Sequence, residues 1–337
     1  MSSFATTAAT SLQRLLRGLF SAFAVAIAPA LAFCGAGLAT EFPTRPITFV
    51  VPAPPGGPTD ILARMFAEDL RQAWGQPVVI DNRPGAGGLI ATQFVQKAPG
   101  DGYTLLLAFT SHLTNPALNP KAGYDPVKDF TPITLLANGG AVLAFNPALP
   151  IKTWQDFLRY ARERGGVNIG HSGAGTSTHI YTGMIADATG IPVNAIPYKG
   201  EAPLQTELIG GGLEFGLLSI GPYVRLAQAG KLRAVTTTIR TPLLPDMPSF
   251  ADVGVPGPGK VRGWFGVLAP AGVPDAIAQK LSRQIQQHVL RPEVQARLIT
   301  EWAFVPVGSS PEDFASNLRS EYAEWQNAIR SQGIKLD

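Results

Sequence analysis

The sequence predicts an α/β fold made of two lobes, and three observations lead to this prediction. A strand, a glycine-rich loop and the start of an amphipathic helix occur twice, at residues 47–70 and again at residues 168–188. Strands and helices also alternate along most of the chain, which is typical of sheets covered by helices on both faces. The chain has 337 residues, more than one hydrophobic core usually supports.

The N-terminal segment has the features of a secretory signal peptide. Arg14 and Arg17 precede the apolar run 19–32, and small residues follow as far as Ala39. A membrane anchor is the alternative, but the apolar run is shorter than the roughly 18 to 20 residues that span a bilayer. We therefore predict that residues 1–39 are removed and that the mature protein is periplasmic. The single cysteine, Cys34, lies in the removed segment, so disulfide bonds do not stabilise the mature chain.

The charge balance excludes one class of partner. The chain has 27 basic and 24 acidic residues, a net charge of +3, and the only charged residues within 1–39 are two arginines. The mature protein therefore carries a net charge of +1. Cationic stripes with interleaved aromatic residues are absent from the sequence, so we predict no binding to nucleic acid.

The first lobe begins with a buried strand, 47–51, a turn, 54–60, and a helix whose apolar residues form one stripe through residues 61–70. A second strand, 76–80, a glycine-rich turn, 81–88, and a helix, 89–97, precede a third strand, 103–109. This alternation predicts a parallel sheet, which binds ligands outside the carboxyl ends of its strands. Both glycine loops lie at such ends.

Residues 133–145 form a long apolar stretch that suits a strand passing between the lobes. The second lobe then contains predicted helices at 154–164 and 202–209, and predicted strands at 168–170, 193–197, 213–219 and 232–239. A Pro-rich segment, 241–259, leads to an apolar strand, 264–269, and to closing helices near 274–290 and 311–330. We predict that residues 40–145 and 246–337 form lobe 1 and that residues 146–245 form lobe 2.

Cofactor and catalytic motifs are incomplete in this sequence. The loop 173–175 lacks the third glycine of the dinucleotide fingerprint, because Thr178 stands there, and no phosphate loop ending in G-K-[ST] occurs. Histidines and carboxylates do not have zinc or calcium spacing, so we predict no cofactor and no metal. A hydrolase triad of Ser172, His179 and Asp60 is an alternative, since Ser172 lies in a near match to G-x-S-x-G. With so few histidines available, we predict that the protein is not an enzyme.

Polar groups at the predicted strand ends favour binding of an anion. The first amides of a helix lack intrahelical partners and carry partial positive charge, and glycine lets backbone N–H groups come close to a ligand. Neutral hydroxyl donors also hold a carboxylate without a buried counter-charge. Such hydroxyls belong to Ser111, Ser172, Thr176, Ser177 and Ser219. Each of them alone also fits a turn residue or a helix cap, but their co-location indicates a ligand site.

The roles of four further residues have to be weighed separately. Asp60 either caps the helix beside Thr59 or accepts a hydrogen bond from a ligand ammonium, a ligand hydroxyl or a bound water. His179 either donates a hydrogen bond to an anion or is a satisfied helix residue. Tyr198 is predicted to form a wall of the pocket, and the neighbouring Lys199 is predicted to be solvated.

Short motifs along the mature chain resemble those of the periplasmic receptors of tripartite tricarboxylate transporters, the Bug receptors. The resemblance spans nearly the whole mature chain. Its eight motifs are Phe42-Pro43-Thr44-Arg45-Pro46-Ile47, Pro55-Gly56-Gly57-Pro58-Thr59-Asp60, Asn82-Arg83-Pro84-Gly85-Ala86-Gly87-Gly88, Asp101-Gly102-Tyr103-Thr104-Leu105-Leu106, Tyr124-Asp125-Pro126-Val127-Lys128-Asp129-Phe130, Pro197-Tyr198-Lys199-Gly200, Gly230-Lys231-Leu232-Arg233-Ala234 and Trp264-Phe265-Gly266-Val267-Leu268-Ala269-Pro270. Any one motif is weak, but eight in order are highly specific.

The resemblance implies a type II periplasmic-binding-protein fold, in which two doubly wound lobes are joined by two crossover strands with a ligand cleft between them. It implies a receptor that captures a small carboxylate and delivers it to the permease subunits of a tripartite tricarboxylate-type transporter, and we expect a monomer. In the family, backbone amides and hydroxyls of the two facing loops hold the carboxylate, partly through ordered waters. The matching positions are Gly56, Gly57, Thr59 and Asp60 on one lobe, and Ser172, Gly173, Thr176 and Ser177 on the other.

The sequence departs from the family pattern at three positions. His171 stands where a small residue is common, and Leu218 and Ser219 stand where many members have Asp-Asn. Losing an acid and gaining an imidazole disfavours a cationic ligand end, so we expect a carboxylate or a neutral polar end. A ligand-sensing module for a signalling partner shares this site with a transport receptor, and a hydrolase using Ser172 is the third alternative.

Overall fold

The computed structural model describes residues 42–119 and 121–331, and the predicted signal peptide lies outside them. The strands in chain order are β1 Ile47–Val51, β2 Val78–Asn82, β3 Thr104–Phe109, β4 Phe130–Gly139, β5 Ala141–Phe145, β6 Val167–His171, β7 Val193–Pro197, β8 Phe215–Ser219, β9 Arg233–Thr237, β10 Gly263–Pro270 and β11 Val305–Pro306. The helices are α1 Pro58–Trp74, α2 Leu89–Gln96, α3 Ser111–Leu118, α4 Trp154–Glu163, α5 Ser177–Thr189, α6 Glu201–Gly210, α7 Ile220–Gln228, α8 Gly257–Lys260, α9 Asp275–Val289, α10 Pro292–Trp302 and α11 Pro311–Ser331. A 3₁₀ turn, Ala86–Gly88, precedes α2.

The first lobe is built on a six-stranded sheet with the order β11-β4-β10-β3-β1-β2. β1 pairs in parallel with both β2 and β3, as the alternation of strands and helices predicts. β10 runs antiparallel to β3 and β4, and β11 runs antiparallel to β4. The predicted parallel arrangement is confirmed for β1, β2 and β3, whereas the later strands β10 and β11 add antiparallel pairs. The sheet is mixed because β10 enters it from the second lobe and not through a crossover helix on the same sheet.

The second lobe is built on a five-stranded sheet with the order β7-β6-β8-β5-β9. β6 pairs in parallel with β7 and β8, whereas β5 runs antiparallel to β8 and β9. The two sheets thus repeat one plan, in which three parallel strands are continued by antiparallel strands. The parallel strands end at the glycine loops, which places both loops on the side of the sheets where such folds bind ligands.

The chain passes between the lobes in two different ways. β4 belongs to the first sheet and β5 to the second, and only Gly140 separates them, so the apolar stretch 133–145 forms two strands and not one. A Cβ atom on Gly140 would lie 2.6 Å from side-chain carbons of Ile220 and Ile239, so the crossing point requires glycine. The return from β9 to β10 runs through the Pro-rich segment 238–262, which contains α8, and not along a continuous strand.

Local signals explain where the helices begin and end. α1 follows Gly57, has proline at its first position, and ends at Gly75 with a φ of +66°, a conformation that favours glycine. α4 begins with a capping box between Thr153 and Asp156. The helices α3, α7 and α10 are absent from the sequence-based prediction. Two of them begin within two residues of a strand end, so there is no loop to announce them.

Aromatic side chains fill the interior of the second lobe. Phe145 on β5, Phe157 on α4 and Phe215 on β8 are fully buried, and the rings of Phe157 and Phe215 meet edge to face with 5.1 Å between their centroids. Replacing such a ring by alanine typically costs about 3 to 5 kcal/mol. None of the helices between residues 42 and 331 is long and apolar enough to cross a bilayer.

Candidate functional site

A cleft of about 410 Å³ lies between the two lobes, and the glycine loops of both copies line it. Of the residues predicted for the site, those that line the cleft are Gly57, Thr59, Ser172, Gly173, Thr176, Ser177, Tyr198 and Ser219. The other four, Gly56, Asp60, Ser111 and His179, lie outside its lining. The structure therefore brings the two loops together at one cleft. The polar residues Asp60, Ser111 and His179 lie behind the cleft lining.

The first loop presents the start of α1 to the cleft. Gly57 is the N-cap residue of α1, and no side chain caps this helix end. The first intrahelical hydrogen bond comes from the amide of Ile61, which donates to the Gly57 carbonyl at 3.0 Å. The amides before Ile61 have no partner inside the helix, and they carry the positive end of the helix dipole. This end of the cleft therefore favours an anionic group.

Asp60 holds the first loop in shape. Its carboxylate is 2% exposed and accepts hydrogen bonds from the Gly56 amide at 3.0 Å, from Nε of Arg64 at 2.9 Å and from Nδ2 of Asn82 at 2.9 Å. Burial disfavours the ionised carboxyl, but these hydrogen bonds outweigh burial and hold the pKa of Asp60 below its usual value. Asp60 therefore has a structural role, but not the predicted helix cap, since no side chain caps α1 and its carboxylate instead ties the loop to Arg64 and Asn82. This geometry does not place the carboxylate against a ligand.

Hydroxyl groups organise the second loop from within. Oγ1 of Thr176 accepts from the His179 amide at 3.3 Å, which caps α5, and donates to the Gly173 carbonyl at 2.7 Å. The hydroxyls of Ser172 and Thr178 lie 3.0 Å apart. Two of the predicted hydroxyl donors, Ser172 and Thr176, therefore bond within the loop. The first-turn amides of α5 and the hydroxyl of Ser177 remain as the groups of this loop that suit a carboxylate.

A stacked pair of histidines lies behind the second loop. The rings of His171 and His179 are nearly parallel, with centroids 4.4 Å apart, and Nδ1 of His179 accepts the Gly175 amide at 3.1 Å. Burial and the neighbouring His179 lower the pKa of His171 to about 4, and burial also lowers the pKa of His179. Both rings are therefore neutral at pH 7. They support the loop, and neither lines the cleft.

The catalytic alternative does not assemble in this geometry. Ser172 shares its hydroxyl contact with Thr178, His179 accepts a backbone amide, and Asp60 is bound within its own loop. A triad requires the serine hydroxyl to reach the imidazole, and the imidazole to reach the acid. Each of the three groups has a different partner here.

A third glycine turn, 85–88, also lines the cleft and touches the opposite lobe. Ser111 and Asn115 of α3 both donate to the Gly87 carbonyl, the latter at 3.2 Å. A Cβ atom on Gly87 would lie only 2.1 Å from the Ala174 carbonyl oxygen of the second loop. This turn is predicted as a connection to a helix and belongs to a family motif, but it is absent from the predicted site residues, although its position at the carboxyl end of β2 follows the rule that identified the other two loops.

Glu201 is a cleft residue that sequence reasoning missed. It is the first residue of α6, and it accepts hydrogen bonds from the amide of Ser219 at 3.1 Å and from its hydroxyl at 2.6 Å. Burial raises the pKa of Glu201, although the hydrogen bonds favour its ionised form. The expectation that Ser219 donates to a ligand carboxylate is therefore wrong in this geometry, because its proton points to Glu201. An acidic residue at a helix start is usually a dipole effect, so the sequence carried no distinct signal for Glu201.

Aromatic side chains form the apolar wall of the cleft. Phe109, Phe265 and Phe304 line it, and the rings of Phe265 and Phe304 pack with 4.9 Å between their centroids. Tyr198 also lines the cleft, as predicted, and its amide donates to the His171 carbonyl at 3.0 Å. The cleft therefore offers polar groups at its loops and an apolar surface between them, which is typical of small-molecule sites.

Two mixed α/β lobes with helix N-termini at a common cleft define a two-lobed solute-binding protein. The sequence model described as the tripartite tricarboxylate transporter family receptor matches residues 62–334. The chain belongs to this family of periplasmic solute-binding receptors, as the order of its motifs predicts.

Relatives of known structure or name agree with this assignment. BugT of Bordetella pertussis is 32% identical over 97% of this chain and 99% of that protein. The structure of R. palustris Rpa4515 with adipate has a TM-score of 0.83 and 35% identity, and the match covers 88% of this chain and 99% of that one. MatC from Rhodopseudomonas palustris with bound malate has a TM-score of 0.79 and 30% identity, over 86% of this chain and 100% of that one.

Proposed function

We propose that this protein captures a small organic acid in the periplasm and delivers it to the membrane permease of a tripartite tricarboxylate-type transporter. The observation that carries the proposal is the meeting of two helix starts, those of α1 and α5, at one cleft. Each helix start attracts negative charge through its free amides and its dipole. A carboxylate between them receives hydrogen bonds from both lobes.

The hydrogen-bond donors at the helix starts are neutral, and this supports reversible binding of a ligand more than catalysis. Backbone amides and the hydroxyl of Ser177 hold a carboxylate without forming a permanent ion pair, so the ligand leaves again when the lobes separate. The relatives described with adipate and malate carry small dicarboxylates, which supports an acid of similar size here. We infer from the same features that the protein is a receptor and not an enzyme.

Ligand binding is tested with the mature chain in a thermal-shift screen of organic acids that includes adipate and malate, followed by calorimetry. Stabilisation follows mass action and reaches about 2.7 kcal/mol at a ligand concentration of 100 times the dissociation constant. Nucleotides serve as the control class, and a chelator tests for a metal requirement. Stabilisation by nucleotides alone, or turnover of the bound acid, would contradict the proposal.

Export and delivery need separate measurements. We propose that residues 1–39 are removed on export and that the mature protein is a monomer of two lobes. The first crossing between the lobes lies at Gly140 and not after residue 145 as predicted, because β5 pairs within the sheet of the second lobe. N-terminal sequencing of periplasmic protein is expected to begin near Thr40, whereas intact Met1 in the membrane fraction would contradict export. Co-purification with permease subunits distinguishes a transport receptor from a sensor that feeds a signalling partner.

A further inference from the structure

The cleft contains one acidic group that the family resemblance does not account for. Glu201 lies on its wall at the start of α6, next to Ser219 at the end of β8. The Glu201 carboxylate accepts three hydrogen bonds from neutral donors, namely the amide and the hydroxyl of Ser219 and Nε2 of Gln205 at 3.0 Å. This arrangement fixes the carboxylate in place beside the ligand volume.

The hydrogen-bond capacity of this pair is not exhausted. A carboxylate offers about four lone-pair sites, and two of the three bonds here go to Oε1 while only one goes to Oε2. The hydroxyl of Ser219 donates its hydrogen bond to Oε2 of Glu201, so it can only accept a hydrogen bond from a ligand. The remaining capacity of Glu201 and Ser219 is thus for accepting hydrogen bonds.

The helix start and three hydrogen bonds favour the charge of Glu201, but no cation contacts it among the described residues. Among the residues from 42 to 119 and from 121 to 331, no lysine, arginine or histidine forms an ion pair with Glu201 within 4.0 Å. Arg225 acts on it only from a distance, since its guanidinium lies over the ring of Trp302. A buried carboxylate without a cation favours a positively charged or hydrogen-bond-donating neighbour.

We propose that Glu201 is a specificity-determining residue that binds an ammonium group of the solute, so that the ligand is a small amino acid whose carboxylate lies at the glycine loops. This rests on the proposed function, and it replaces the sequence-based expectation of a carboxylate or neutral distal end. That expectation rests on Leu218 and His171, which both lie outside the cleft lining, whereas Glu201 belongs to the lining. A hydroxyl group satisfies the same acceptors more weakly, because it brings no charge.

Two series of acids, matched in length and differing only at the distal end, test the assignment by calorimetry at pH 7. One series is succinate, 4-hydroxybutyrate and 4-aminobutyrate, and the other is adipate, 6-hydroxyhexanoate and 6-aminohexanoate. Within the series that fits the cleft, the amino acid is expected to bind best and the diacid worst. Losing one charge-assisted hydrogen bond corresponds to about a tenfold to a hundredfold change in affinity.

The variant Glu201→Gln removes the charge but keeps the side-chain length and an acceptor oxygen for Ser219. It is expected to weaken binding of the amino acid by about tenfold to a hundredfold and to leave or improve binding of the diacid. Glu207→Gln lies on the exposed side of the same helix and is the matched control, with unchanged affinities. Ser219→Ala leaves the acid in place and is expected to retain the preference for the amino acid, which keeps the test valid should Glu201→Gln fold poorly.

The outcomes separate this assignment from the proposed function. A wild-type protein that binds the diacid at least as tightly as the amino acid, with no effect of Glu201→Gln on that order, overturns the assignment and leaves the receptor function standing. A purely structural role for Glu201 would lower the affinity for all the acids alike, and that result also overturns it. If none of the six acids and no other organic acid binds, both the receptor function and the assignment fail.

Discussion

Replacing Gly87 by alanine should prevent the lobes from closing on a ligand while leaving each lobe folded. Gly87 lies in the third glycine turn of the first lobe and faces the Ala174 carbonyl of the second lobe. The added Cβ atom would lie 2.1 Å from that oxygen. When the lobes separate, the new methyl group has no such neighbour, so the substitution opposes the closed arrangement specifically.

The size of the effect follows from the contact distance. A carbon atom approaches a carbonyl oxygen to about 3.3 Å, so the two loops must separate locally by about 1 Å. Forcing a methyl group into a packed contact of this kind costs about 1 to 3 kcal/mol. The affinity for a ligand that binds the closed arrangement should therefore fall by about fivefold to 150-fold. Gly87 also has a φ of +59°, and alanine in this conformation costs on the order of 1 kcal/mol in any arrangement of the lobes.

A matched control separates the contact from the backbone strain. Gly75 at the end of α1 has a φ of +66°, and a Cβ atom there meets nothing within 4 Å. Gly75→Ala therefore carries the strain without the contact. Calorimetry with the best-binding acid should show reduced affinity for Gly87→Ala only, and small-angle scattering should show that Gly87→Ala contracts only at a correspondingly higher ligand concentration. Equal affinities of the two variants would refute the reasoning.

Three further predictions concern groups around the loops. Asp60→Ala should lower the free energy of unfolding by about 1 to 3 kcal/mol at pH 7 in urea titrations. Because the pKa of Asp60 is lowered in the folded state, this difference should shrink as the pH falls below about 4, and a constant difference would contradict it. The folded state disfavours protonated His171 and His179, so the wild type should lose stability as the pH falls below about 6.5, by up to about 1.4 kcal/mol per pH unit for each ring. For His171 this loss continues down to a pH of about 4. His171→Asn should reduce that slope, and an unchanged slope would show that His171 does not titrate as described. Thr114→Val removes a buried hydrogen bond from the first lobe to the Gly175 carbonyl of the second lobe and should weaken ligand binding by about twofold to tenfold. The melting temperature without ligand should stay the same, and unchanged affinity would mean that this bond does not favour closure.

The elements that the sequence predicts well are those with a loop on both sides. β1 and β7 match their predicted bounds, because a turn bounds each apolar run on both sides. The helix α3 was missed because it begins two residues after β3 and contains Pro116, which argues against a helix. The strand β10 was predicted, but its antiparallel direction could not be, since that direction depends on where the chain re-enters the first sheet.

The site divides in a similar way between what is local and what is not. Glycines after strand ends identified the loops, because glycine is the residue type that lets the backbone come close to a ligand. The direction of each hydroxyl bond is not local: Ser219 gives its proton to Glu201, 18 residues earlier in the chain, and residue type alone shows neither the partner nor the donor. Ser219 therefore looked like a donor for an anion, and Glu201 looked like an ordinary helix start.

The crossing between β4 and β5 has a mechanical consequence. Gly139 and Gly140, where one sheet ends and the other begins, also line the cleft, so the cleft lies beside the crossing about which the lobes would turn. A small rotation about a hinge displaces atoms far from the hinge much more than atoms beside it. Small shifts of these two glycines would therefore become much larger displacements at the outer edges of the lobes.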